Sequence, residues 1–406
     1  MEDSPQQSRA LESASPRRLW LWAVVIALVG VVLRVLWFQR YRDELMLGYG
    51  WSGSPHYWAL SPRVTGGIVG DFNPLLAAKA FAPGYGLFLR GVNGIDSTHD
   101  AIVLSIFIAQ TAMLFLATLL TFALSRRVIF GWAALVPAVL LTASIALLEL
   151  PGGMAPWIPV MLLVVTAIWL LTNLRERLLE ERSGAPEMFI TVAAGLTIGG
   201  AILFNPGVLL LALPICWWAF RGIGREHAIL LLVAVILLPA CWLAVVQSQV
   251  TGGIPADQLT AWFQADAGNA PQSLSQAADH AYAVATPWNP RFARSEWSSM
   301  NANYEWLLPF SIRADTSYQS ATRILAAVWM VGYVLLILAG IVALFVEGAG
   351  SSARLIGMAA ITLPLITFFS AWGNLVRVPA LPFLMIALVL GAIWAIERLR
   401  TDRSNT

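Results

Sequence analysis

The chain is poor in charge. Asp, Glu, Lys and Arg make up 12% of its 406 residues, about half the share of a typical soluble domain. That excludes a water-facing surface over most of its length. Cysteine is almost missing. Cys216 and Cys241 both stand in apolar runs, so they read as small core residues and not as a disulfide or metal pair. The four histidines, His56, His99, His227 and His280, are scattered without HxxxH spacing, and no zinc site is signalled. Lys79 is the sole lysine among 25 basic residues. That arginine bias belongs to GC-rich bacterial coding rather than to physics. A net charge of +2 makes no case for nucleic acid, and no nucleic-acid partner is expected. No period of 20–50 residues recurs, which excludes a repeat architecture.

What is present is hydrocarbon. The chain is 58% hydrophobic, with 18 Trp and 18 Phe, and aromatics gather at bilayer interfaces. The reading is an all-α polytopic membrane protein with the lipid bilayer as its solvent. Runs near 19–38, 101–124, 128–148, 155–174, 188–204, 206–220, 227–247, 324–346, 355–372 and 379–396 predict about ten transmembrane helices. The first is read as a span and not as a cleaved signal, since no small-residue site follows it. Arg34, near its outer end, is expected to snorkel to the interface. Residues 1–18 are expected to be a disordered cytoplasmic tail, 19–400 a single transmembrane domain, and 401–406 a second short tail.

Charge sets the orientation. With the N-terminus inside, the inner connections hold Arg126 and Arg127, then Arg175, Arg177 and Arg182, then Arg221 and Arg225, then Arg354, then Arg398, Arg400 and Arg403. The short outer connections 149–154 and 205–206 carry no Arg or Lys. Positive-inside patterning therefore predicts cytoplasmic N- and C-termini in a bacterial inner membrane. It leaves two long extracytoplasmic segments, 39–100 and 248–323.

The stretch 40–90 concentrates polar chemistry between two apolar spans. Asp43 and Glu44 follow the first helix at the membrane surface. Residues 48–55 are rich in turn formers, and His56, Tyr57 and Trp58 open a short aromatic surface helix that Gly66, Gly67 and Gly70 end. Lys79 precedes Pro83-Gly84-Tyr85-Gly86-Leu87-Phe88-Leu89-Arg90, a turn leading into an apolar half-span that reads as an interfacial helix. Each residue has a bland reading as well. The acidic pair also suits a solvated helix end, His56 suits packing within the aromatic helix, and Arg377 suits an interfacial anchor.

These boxes, in this order, resemble the GT-C superfamily of membrane glycosyltransferases, closest to its protein O-mannosyltransferase and aminoarabinose transferase branch. The resemblance rests on Tyr57-Trp58-Ala59, Gly66-Gly67, Pro83-Gly84-Tyr85 with Leu87-Phe88-Leu89, Asn205-Pro206-Gly207, and Arg377-Val378-Pro379 with Pro382-Phe383. It departs in three places. Gly53 and Ser54 stand where the family carries an acid, Asn205 where it has Arg, and Ala82 where it has a first proline.

The resemblance implies transfer of a sugar from a polyprenyl-phosphate donor to a glycan, lipid or protein acceptor at the outer face. An acceptor hydroxyl is a weak nucleophile and needs a carboxylate base. Asp43 is the first candidate, Asp71 the second and Glu44 the third. A phosphate leaving group needs cations, and arginine suits its geometry. Arg377, Lys79 and Arg63 are the candidates there. His56, Tyr57, Tyr85 and Trp306 are the candidates for sugar or acceptor contact. No metal ligand set is assigned, although the Asp43-Glu44 pair offers the oxygen donors a divalent cation takes. In 248–323, Trp262, Trp288, Trp297 and Trp306 beside Asp, Asn and Glu suit sugar stacking and interfacial anchoring equally. Two other functions stay open: a membrane transporter or flippase, and a catalytically inactive GT-C-like scaffold. Transport favours charged or broken helices at mid-membrane, and the predicted span centres carry almost none.

Overall fold

A computed structural model describes residues 15–46, 83–93, 99–144, 146–149, 151, 156–181, 184–249, 319–346, 350–365 and 378–404. No strand occurs among them. The helices are α1 (Pro16–Met46), α2 (Pro83–Asn93), α3 (His99–Ser125), α4 (Val136–Ala143), α5 (Ala146–Glu149) and α6 (Trp157–Leu179). The second half adds α7 (Ala185–Phe204), α8 (Leu209–Gly222), α9 (Arg225–Gln249), α10 (Gln319–Val346), α11 (Ser351–Leu365) and α12 (Leu381–Ser404). Short 3₁₀ turns at Gly131–Leu135 and Pro206–Val208 lead into α4 and α8.

Among the described residues, six helices are long and apolar enough to cross a bilayer: Pro16–Arg40, Val103–Ser125, Trp157–Leu179, Ala185–Phe204, Arg225–Ala244 and Val378–Arg400. The other four predicted spans fall on shorter apolar helices of 10–17 residues. The span predicted over 128–148 is not one helix. Gly131 takes φ 63° and Pro137 sits at the start of α4, while Ser144 is extended at φ −64°, ψ 118°. These separate α4 from α5. The first helix starts earlier than the sequence suggested, because Pro16 opens it. Proline's fixed φ suits a first turn, and the Ser15 hydroxyl accepts the Arg18 N–H at 3.4 Å. At the other end α12 runs on to Ser404.

Small residues let the helices approach. In α1 the buried positions are Leu19, Ala23, Ala27, Gly30, Arg34 and Phe38, a stripe at three- and four-residue spacing. The rest of α1 presents Leu21, Val25, Leu28, Val32 and Leu36 outward, as a lipid-facing helix does. Helices α1 and α3 are antiparallel. Trp20 meets Phe122 edge-on at 5.0 Å, and Phe38 stacks on Phe107 at 4.1 Å. Gly195 and Gly199 lie over Ala234 and Val235 of α9, a small-xxx-small contact. Helices α10 and α12 meet more closely still. Gly340 rests on the Ala387 carbonyl and Gly391 on the Leu336 carbonyl.

Arg127, Arg175, Arg177 and Arg221 gather with their partners at one end of the bundle. Arg127 pairs with Glu176 and donates to Asn173 Oδ1 at 2.8 Å. Burial pulls its pKa below the ordinary arginine value, and the Glu176 charge works the other way. Arg175 donates to the Gly222 carbonyl, closing the C-terminus of α8. Glu187, buried in the first turn of α7, lies 3.6 Å from Arg177. Trp218 donates to Ser351 O at 2.8 Å. Arg221 and Arg398 lie over the Trp217 and Trp394 rings, cation–π contacts suited to an interfacial belt.

Candidate active site

At the opposite end, the Pro83-Gly84-Tyr85 box packs beside the Asn205-Pro206-Gly207 box. At the start of α2, Gly84 packs against the last residues of α7. A Cβ there would meet Leu203 C and Phe204 N, both at 2.9 Å, and the Phe204 ring at 2.6 Å. Only glycine lets α2 come this close to backbone. The Tyr85 ring is fully buried and stacks on Phe88 at 5.6 Å, which in turn lies 6.5 Å from Phe204.

One residue further on, Asn205 breaks α7 in an extended conformation at φ −150°, ψ 109°. Its Oδ1 accepts the Gly207 N–H at 2.8 Å, an Asx turn. Pro206 then opens the 3₁₀ turn into α8. The Pro83-Gly84-Tyr85 box therefore packs against Leu203 and Phe204, directly before the Asn205-Pro206-Gly207 elbow, which lies 122 positions further along the sequence. Replacing Gly84 with valine is expected to push α2 off this elbow. The melting temperature of the purified protein should fall, while Gly91→Val should leave it unchanged, since nothing lies within 4 Å of Gly91.

Asp43 and Glu44 stand in the last turn of α1 and not beyond it, because the helix runs to Met46. A carboxylate at a helix C-terminus works against the macrodipole by roughly 0.3–1 kcal/mol. The pair is therefore not there to stabilise α1, and a nearby cation or cationic side chain would offset it. Of the other candidates, Tyr85 is placed at the start of α2, buried and stacked on Phe88. His56, Tyr57, Arg63, Asp71, Lys79, Trp306 and Arg377 lie outside the described residues. The box that contains Arg377 is described from Val378 onward. Val378, Ala380, Leu381 and Phe383 are buried in the bundle core at the start of α12.

Sequence reasoning missed Arg34. It does not snorkel. Its side chain is 1% exposed, with Nε donating to the Leu147 carbonyl of α5 at 2.9 Å. The signal was available. Ala23, Ala27 and Gly30 precede it on one stripe, and three small residues in register mark a packed face rather than a lipid face. Among the described residues no group of three His, Cys, Asp or Glu side chains is arranged to hold a metal.

These helices, their elbow and their basic opposite end define a polytopic all-α membrane protein. No family model and no curated protein matches the chain. Solved structures of the Archaeoglobus fulgidus oligosaccharyltransferase AglB do. The apo form aligns over 95% of this chain and 52% of its own, with TM-score 0.54 and 15% identity. The complex with an inhibitory peptide and a dolichol-phosphate aligns over 94% and 51%, with TM-score 0.52 and 14% identity. A form tethered to an acceptor peptide containing the NVT sequon gives 0.53 and 14%. The chain thus spans about half the length of these structures, and at this identity the likeness concerns the fold.

Proposed function

We propose that this chain is a GT-C glycosyltransferase that moves a sugar from a polyprenyl-phosphate donor to an acceptor hydroxyl at the extracytoplasmic face of a bacterial inner membrane. The observation that carries the reading is the packing of the Pro83-Gly84-Tyr85 box on Leu203 and Phe204, directly before the Asn205-Pro206-Gly207 turn, within a fold like that of AglB. The AglB complex with a dolichol-phosphate supports a lipid-phosphate donor for this fold. The reading keeps ten spans, with both termini cytoplasmic and the segments 39–100 and 248–323 outside. The basic belt and the six long spans support it. It follows the O-mannosyltransferase-like branch on the strength of the box order in the sequence.

In this account Asp43 takes the proton from the acceptor hydroxyl as its oxygen attacks the anomeric carbon. The new C–O bond forms as the bond to the donor phosphate breaks, and the bonding electrons leave on the phosphate oxygen. Arg377, with Lys79 and Arg63, neutralises that growing charge. Asp71 and Glu44 are the second and third choices for the base. His56, Tyr57 and Trp306 meet the sugar or the acceptor. Any divalent cation would sit at Asp43-Glu44.

Arg377→Ala is expected to weaken binding of a polyprenyl-phosphate sugar to the purified protein at least ~30-fold, the cost of losing a charge-assisted hydrogen-bond pair. Titration in nanodiscs reads this. Unchanged binding would remove Arg377 from the site. No binding to any polyprenyl-phosphate species by wild type would remove the donor class.

A further inference from the structure

Among the described residues, four of the buried polar atoms without a partner come from three neighbouring elements. Arg34 Nη2, Thr111 Oγ1, Thr142 Oγ1 and Ser144 Oγ are all buried and make no hydrogen bond. They come from α1, α3 and the α4–α5 junction, and the geometry brings them to one level. On α1 and α3, Phe38 stacks on Phe107. One helical turn inward from that pair on each helix stand Arg34 and Thr111. Thr142 reaches the same layer from α4. Arg34 Nη1 and Thr142 Oγ1 lie 2.5 and 3.5 Å from the point where a Gly30 Cβ would stand. Ser144 joins through the backbone, since its carbonyl accepts the Leu147 N–H at 3.1 Å and the Leu147 carbonyl accepts Arg34 Nε.

Among the described residues, the charge in this layer has no counter-charge. The two ion pairs among the described residues, Arg127–Glu176 and Arg177–Glu187, both belong to the opposite end of the bundle. An arginine in the membrane interior characteristically faces a partner or a pathway, and a charge without a partner is the costly arrangement. The unpartnered Nη2 of Arg34 and the unpartnered hydroxyls of Thr111, Thr142 and Ser144 on the neighbouring elements are the kind of donors a tetrahedral oxyanion takes. Arg34 lies nine residues before Asp43, about 13 Å along the helix axis at 1.5 Å per residue. It is therefore too deep to serve the reacting phosphate beside that carboxylate.

We propose that Arg34, Thr111, Thr142 and Ser144 form a second, interior phosphate-binding site, separate from the reaction centre, that takes the phosphate of a lipid or free phosphate. The site rests on the membrane reading and not on the transfer chemistry. Its occupant supplies the negative charge that the described residues around Arg34 lack, and it ties α1 to α3 and to the α4–α5 junction.

The test uses the full chain in nanodiscs, with three probes: a polyprenyl monophosphate, the neutral polyprenol of the same length, and inorganic phosphate. Native mass spectrometry and melting temperature are the readouts. Wild type is expected to retain the phosphate lipid over the polyprenol at least ~10-fold and to melt higher with it. This population should survive Arg377→Ala, which reports on the reaction centre, and should vanish in Arg34→Met. Without ligand, Arg34→Met should melt no lower than wild type, because it removes a buried unpaired charge. The Thr111→Val/Thr142→Val double variant keeps the side-chain volume and should weaken retention in the same direction, which covers the case where Arg34→Met does not fold. Inorganic phosphate that protects wild type alone, with no lipid preference, would assign the site to free phosphate. Equal retention of phosphate lipid and polyprenol with no effect of inorganic phosphate would overturn the proposal. So would retention unchanged in Arg34→Met, which would leave Arg34 as a structural tie to Leu147.

Discussion

Replacing Asp43 with asparagine is expected to cut sugar transfer by ~10²–10⁴-fold, the usual contribution of a positioned general base. Donor binding should stay intact. The amide has the same shape as the carboxylate but takes no proton from the acceptor hydroxyl, so the loss should appear in kcat and not in KM. The position supports the choice. Asp43 lies in the last turn of α1, where the helix field disfavours a negative charge. Glu44→Gln should cost far less. Asp71→Asn provides the discriminating comparison: if it carries the large loss while Asp43→Asn is nearly silent, the base is Asp71 and the pair on α1 is a helix end.

Gly340→Ala is expected to destabilise the bundle by ~1–3 kcal/mol or more, although the same change at Gly332 on the same helix should be neutral or mildly stabilising. Alanine is the better helix former by roughly 1 kcal/mol, and nothing lies within 4 Å of Gly332. At Gly340 the added methyl would fall on the Ala387 carbonyl. Backbone does not yield as a flexible side chain does, so α10 and α12 must separate. Gly391 and the Leu336 carbonyl make the reciprocal contact, and the double variant should therefore cost less than the sum of the two singles. Intrinsic tryptophan fluorescence during thermal unfolding in detergent measures all of these. Equal melting of Gly332→Ala and Gly340→Ala would mean that the close approach of α10 and α12 is not part of the native fold.

The spans were legible because eighteen or more consecutive apolar residues have few homes besides a bilayer. Their interruptions were less so. The run over 128–148 is apolar throughout, and its division at Ser144 depends on local backbone angles that composition does not encode. The turn chemistry of Asn205-Pro206-Gly207 could be read in place. The packing of Gly84 on Leu203 and Phe204 just before it could not, since no local signal joins positions so far apart in the chain. Arg34 shows the same limit from the other side. A cation near the outer end of an apolar helix reads as snorkelling until the small residues below it are seen to lie on one packed stripe. Asp43 was placed one turn too late because the polar residues after Phe38 resemble a loop, although nothing in 39–46 breaks a helix.

The most direct measurement follows the lipid itself. Nanodisc-embedded wild type would be incubated with a polyprenyl-phosphate sugar and a membrane extract as acceptor source, and the lipid phase read by mass spectrometry. The account predicts conversion of the sugar conjugate to free polyprenyl phosphate, abolished in Asp43→Asn. Full recovery of the conjugate from wild type, across a panel of polyprenyl-phosphate sugars that the protein binds, would contradict it and leave the chain as a lipid-binding scaffold with a fold like that of AglB.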